Sequence, residues 1–138
     1  MRKNKIPIEK VQKAFNDAIK RHDKRCIIRD YEPCCGQLEC SHFFTVGSSP
    51  SLRFYPPNAY AQCQKHHWKH HNDREFQKVD YYGMFMEYNH GEDLDFMERA
   101  RHRYIKYTDE LKSEIIRLCN EDKLEELKKL IENVIQGD

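Results

Sequence analysis

Nowhere in the 138 residues do apolar side chains run on for the ~20 positions that a membrane-crossing helix needs. The opening residues, Met1-Arg-Lys-Asn-Lys-Ile, lack the apolar stretch of a secretory leader, so the chain is expected in a reducing cytoplasm. Repeats, low-complexity tracts and flexible linkers are missing too, which excludes solenoid and tethered-module architectures. Neither sign of charge dominates, the formal net charge being +1. Apolar residues are also sparse: 38% hydrophobic against 34% charged, with a mean hydropathy of -0.97, leaves material for only a small core that needs a staple. The length suits one compact domain with appended helices and argues against two lobes around a substrate cleft.

What is present is unevenly placed. Five of the six cysteines (Cys26, Cys34, Cys35, Cys40 and Cys63) fall in the first half. In a reducing compartment, clustered Cys and His act more often as metal ligands than as disulfides. Residues 1–75 carry 14 Lys and Arg against 8 Asp and Glu, whereas residues 76–138 carry 10 against 15. The basic half therefore also holds the Cys/His cluster, as expected of a surface that meets a polyanion.

Along the chain, Ile8, Val11, Phe15 and Ile19 form a helical stripe. Short apolar runs at Cys26-Ile-Ile and Cys40-Ser-His-Phe-Phe flank a Pro/Gly turn cluster and predict a β-hairpin between Arg25 and Phe44. A loop rich in Ser and Pro runs to Asn58, which reads as the N-cap of a helix from Tyr60 through His71. A further amphipathic stretch contains Phe76, Val79, Tyr82 and Met86. Helical pieces then follow at residues 93–105, 108–119 and 122–135, the last with Asp122 and Glu125 in capping-box positions. Its Leu-rich seam would pack on the rest of the chain or on a second copy.

Three features carry chemistry. Cys63 and His66, three apart on a helix, can share one tetrahedral ion with two thiolates from the hairpin, Cys26 and one of Cys34 or Cys35. The plain alternative is a set of small buried core thiols. Secondly, His67 and His71 stack four residues apart on an offset helical face, and His70 could stand in for His71. Two such imidazoles can hold a divalent cation with open positions for water and phosphate oxygens, whereas a solvated basic face would touch phosphate without chemistry. Thirdly, His42 ends an apolar strand, with Glu39 and Ser41 on the opposite face. Arg53 stands to reach a phosphate or pin the loop, and Lys65, Lys69, Arg74 and the basic N-terminal residues supply sequence-independent attraction to DNA. No base-reading motif is evident.

The run from Cys40-Ser-His-Phe-Phe-Thr through Pro50-Ser-Leu-Arg-Phe to Asn58 and Gln62-Cys-Gln-Lys-His-His resembles the Rap/NinG recombination nucleases of lambdoid phages, a branch of the HNH superfamily. The likeness is good over residues 26–75 and echoed weakly near His102. It implies an α+β fold, a small zinc-stapled ββα-metal finger with a β-hairpin over residues 25–75. The N-terminal helix of residues 1–24 and the helical region 76–138 would surround it. It further implies that His42 is a general base, that Asn58 holds the middle Asn position and orients the loop, and that His67, joined by His71, binds the catalytic ion. Cys63 and His66 match half of the structural zinc site, although relatives often have Cys at the latter position. Where many HNH enzymes have an acidic or His ligand directly before the catalytic His, this chain has Ser41, and Glu39 two positions earlier is an open candidate ligand. The implied activity is metal-dependent hydrolysis of DNA phosphodiesters with Mg²⁺ or Mn²⁺ in branched intermediates such as Holliday junctions and D-loops, in a phage-infected host's cytoplasm, with a homodimer as a natural arrangement for paired cuts. Nicking or packaging-linked nucleases and a non-catalytic zinc-finger DNA-binding protein are the alternative expectations.

Overall fold

Helix α1 (Ile8–Asp23) forms because Val11, Phe15, Ala18 and Ile19 align on one side, and all four are buried. Its last turn carries Lys20, Arg21 and His22, favourable at the negative end of the helix dipole, before Lys24 ends it in a left-handed conformation. The computed structural model, which describes residues 5–137, continues with strand β1 (Leu38–His42), 3-10 turns at Pro50–Leu52 and Pro56–Asn58, strand β2 (Ala59–Cys63) and helix α2 (Gln64–Asn72). Helices α3 (Arg74–Val79), α4 (Tyr81–Asn89), α5 (Gly91–Ala100), α6 (Asp109–Asn120) and α7 (Leu124–Gln136) complete the chain. The architecture is α+β, and among the described residues no helix is long and apolar enough to cross a membrane.

The two strands are antiparallel, with Leu38 opposite Cys63, Cys40 opposite Ala61 and His42 opposite Ala59. A two-stranded antiparallel hairpin is present as expected, but it is built from other segments than those expected. Residues 26–28 turn instead of extending, touching the sheet edge through the Ile27 N–H donated to the Ala61 carbonyl at 3.0 Å. The partner of β1 is the segment expected to open the helix. Asn58 is not an N-cap, because its side-chain amide is committed elsewhere: Oδ1 accepts from Phe44 N–H (2.8 Å), and Nδ2 donates to the carbonyls of Phe44 (2.9 Å) and Leu52 (3.2 Å). The helix starts six residues later, and its cap is the Cys63 sulfur, which accepts from the His66 backbone N–H.

The connection between the strands is held on both sides. Leu52, Phe54 and Tyr55 are buried within the main core, where they join α1, Met86, Met97, Ile115 and the inner face of α7. The Tyr55 hydroxyl donates to Glu132 at 2.6 Å, and the Ser51 hydroxyl donates to the Ala100 carbonyl. A long loop thus becomes part of the interior because its apolar side chains face inward and its polar groups find partners.

The helical second half departs from expectation at two joints. Asp80, in the left-handed region, splits the stretch containing Phe76 and Met86 into two helices and caps the second by accepting from Gly83 N–H. A side chain at Gly83 would meet that carboxylate and displace the cap. The Asp122/Glu125 capping box does not form: Asp122 is left-handed and accepts from Arg21, while Lys123 stands at the α7 N-cap position without a side-chain cap. Leu127, Ile131 and Ile135 of α7 are buried in the chain's own core.

Asn58→Ala removes three hydrogen bonds from a fully buried position and leaves the Phe44 N–H and carbonyl unmatched. A loss of about 2–4 kcal/mol is expected in urea unfolding, with an unchanged slope against denaturant.

Candidate metal centre and histidine cleft

Four potential ligands from three segments converge at one end of the sheet. Cys26 arrives from the turn after α1, Cys34 from the loop before β1, and Cys63 and His66 from the β2–α2 junction. The sulfurs of Cys63, Cys26 and Cys34 lie 3.2, 3.4 and 3.9 Å from His66 Nδ1. A tetrahedral ion with ordinary Zn–S and Zn–N bonds holds its S and N ligands about 3.6 Å apart, so this spacing fits one metal ion between them. Three thiols and an imidazole form a soft donor set suited to such an ion.

The electrostatics agree with a cation-seeking site. Desolvation and the neighbouring Cys26 push the Cys34 thiol up to about 12, and burial likewise raises Cys26. Burial also acts to raise Cys63, but the N–H groups of Cys35 and His66 outweigh it and hold that thiol below its ordinary value. Behind the ring, Glu32 Oε2 lies 3.2 Å from His66 Nε2, off the N–H direction, and it also pairs with Lys69 Nζ at 3.4 Å. Glu32 had no signal in the spacing arithmetic. The choice left open between Cys34 and Cys35 is resolved geometrically: Cys34 joins the cluster, while Cys35 serves through its backbone, its carbonyl accepting from Lys65 N–H.

One residue further along α2 the side chains turn to another face. His67 Nδ1 contacts Glu39 Oε1 at 2.7 Å, and the rings of His67 and His71 lie 4.9 Å apart. Glu39, His67 and His71 line an open cleft whose wall is Trp68, 60% exposed and another residue for which the sequence offered no role. Among the described residues the thiol cluster is the only set of three or more Cys, His, Asp or Glu whose ligand atoms all lie within 4.8 Å of one another, so this second group is a looser arrangement. Desolvation, followed by the His67 charge, lowers the His71 pKa below the ordinary imidazole value.

His42 stands at the end of β1, half-buried, on the sheet face opposite Glu39 and Ser41, its ring 5.9 Å from that of Phe15. It is not among the residues lining the cleft, but the His67 charge reaches it. Its Nε2 lies 2.9 Å from the Arg53 carbonyl. Because a carbonyl only accepts, Nε2 carries the proton and Nδ1 keeps the lone pair. Burial, against the opposing effect of that hydrogen bond, lowers the His42 pKa below the ordinary imidazole value.

The model of a family described as NinG, Bacteriophage Lambda NinG protein, matches residues 1–132. The chain belongs to the NinG family. No curated protein and no solved structure matches it. The NinG match takes in the thiol cluster, the histidine cleft and the helices through most of α7, so the sites and their supporting core belong to one family unit.

The expected DNA-contacting side chains of this NinG chain are placed differently from one another. Arg53 Nε donates to Gln12 Oε1 at 2.6 Å, which pins the loop to α1. Lys65 donates to the Pro33 carbonyl, Lys69 is paired with Glu32, and Arg74 is exposed. Arg2 and Lys3 lie outside the described residues.

The thiol cluster makes a direct prediction. Purified protein is expected to carry one zinc per chain by elemental analysis. Cys34→Ser and Cys63→Ser should lose it and Cys35→Ser should keep it, with chelation lowering Tm by roughly 10 °C or more.

Proposed function

We propose that this chain is a metal-dependent DNA endonuclease of the ββα-metal (HNH) type, acting on branched recombination intermediates such as Holliday junctions and D-loops. The observation that carries the reading is His42 at the end of β1: its Nε2–H is committed to a backbone carbonyl, which leaves its Nδ1 available as a base. The order β1, β2, α2, with His42 ending the first strand and His67 on the helix, agrees with it. So does membership in a phage recombination-associated family.

In this reading structural zinc is held by Cys26, Cys34, Cys63 and His66. His67 and His71 would hold a divalent cation, Mg²⁺ or Mn²⁺, which when bound supplies Lewis-acid stabilisation to a phosphodiester. His67 offers Nε2, since Glu39 engages Nδ1 and fixes the ring. His42 Nδ1 takes a proton from the attacking water, its Nε2–H anchored on Arg53 throughout. Asn58 acts at a distance by holding both ends of the loop that supplies that carbonyl.

A non-catalytic zinc-finger DNA-binding protein is the second reading, favoured by the thiol cluster being the tighter of the two ligand groups among the described residues. The two separate on His42→Ala. The nuclease reading expects a loss of cleavage of about 10²–10⁴-fold with Mn²⁺ on a junction substrate, with zinc content and DNA affinity nearly unchanged. Normal cutting by that variant would overturn it.

The lowered His42 pKa also sets the pH profile. A base must be deprotonated to act, and a pKa below 6.5 keeps it so into mild acid, so the acid limb of kcat/KM should fall below pH 6.5 and disappear in His42→Ala.

A further inference from the structure

On the sheet face turned away from His42, a separate pocket has polar groups that the protein itself leaves unmatched. Gln62 is fully buried, yet neither Oε1 nor Nε2 has a hydrogen-bond partner in the chain, and the same is true of His70 Nδ1. Both residues line a cavity of about 170 Å³ whose remaining walls include the rings of Phe76, Tyr81 and Tyr82, with exposed Asp80 at its edge. Burying an unmatched amide is costly, so such a group marks a place where a partner is expected.

The chemistry of the lining narrows that partner. No lysine or arginine lines the pocket, and Asp80 brings a carboxylate, so a phosphate is unsuited. The volume is below that of pockets for drug-sized ligands and admits one planar ring system. An amide presenting a donor beside an acceptor is complementary to the edge of a nucleobase, and aromatic walls are what an unstacked base packs against. The pocket also adjoins the candidate site, since the His70 ring lies 5.2 Å from that of His71. We infer that this cavity receives a single unpaired nucleobase, with Gln62 and His70 hydrogen-bonding its edge and the Tyr81 and Tyr82 side bearing its face. The inference rests on the reading of the chain as a DNA-acting protein and adds to it a means of sensing unpaired positions at branch points.

The test uses the full zinc-loaded chain without added Mg²⁺ or Mn²⁺, and fluorescence anisotropy with three duplexes: fully paired, carrying a one-nucleotide bulge, and carrying the same bulge as an abasic residue. The abasic bulge keeps the bend and flexibility but has no base to insert. About ten-fold or more tighter binding of the base-bearing bulge than of either other duplex is expected. Gln62→Met should collapse that preference toward one. Equal affinity for the two bulges overturns the inference, as does a Gln62→Met protein that melts higher while keeping the wild-type preference, since the cavity would then be only a polar hole. Normal junction cleavage alongside equal bulge affinities overturns this inference alone. Failure to bind any of the three, or a junction, overturns the nuclease reading as well.

Discussion

The convergence of three sulfurs on one imidazole nitrogen is what the rest of the structure leans on. Around those ligands the apolar cluster is small: Cys26, Ile28 and Cys63 are buried, and half-buried Ile27, Leu38, Phe76 and Tyr81 pack against them. No residue from 29 to 37 belongs to the main core. A metal ion bridging residues 26, 34, 63 and 66 would close two loops at once at the point where the Cys63 cap sets the start of α2, and the direction of every later α2 side chain follows from that start.

Once its start is set, the nine residues of α2 serve three surroundings. The 100° step between neighbours turns His66 into the thiol cluster and His67 outward to Glu39; His71, one turn on, joins His67, and His70 faces Gln62 and Tyr82. Four imidazoles within six positions would repel as cations. Burial instead favours the neutral form of His66, His70 and His71, which suits ligands and hydrogen-bonding groups better than a charged patch.

His42 gains its tautomer from the loop rather than from its own strand. Asn58 ties Phe44 to Leu52, Leu52 and Phe54 bury on either side of Arg53, and the Arg53 carbonyl is thereby held at the His42 ring. Stability of the core and preparation of a basic nitrogen are thus one arrangement, and the Arg53 side chain is spent on Gln12 to keep it in place.

The residue types and spacings of this chain determined that His67 and His71 share a face and that α1 is amphipathic, each of which depends only on a helical period and on side-chain chemistry. Cys63 and His66 do meet, but through the N-cap of α2 and not on one helical face. Tertiary structure alone decided that residues 59–63 pair with 38–42, because an Ala-Tyr-Ala-Gln-Cys run is compatible with helix or strand until a neighbouring strand satisfies its backbone. It alone chose Cys34 over Cys35, placed Glu32 behind His66, and assembled the pocket at Gln62. Those are contacts between segments distant in the chain, and local periodicity carries no information about which distant groups the fold will bring face to face.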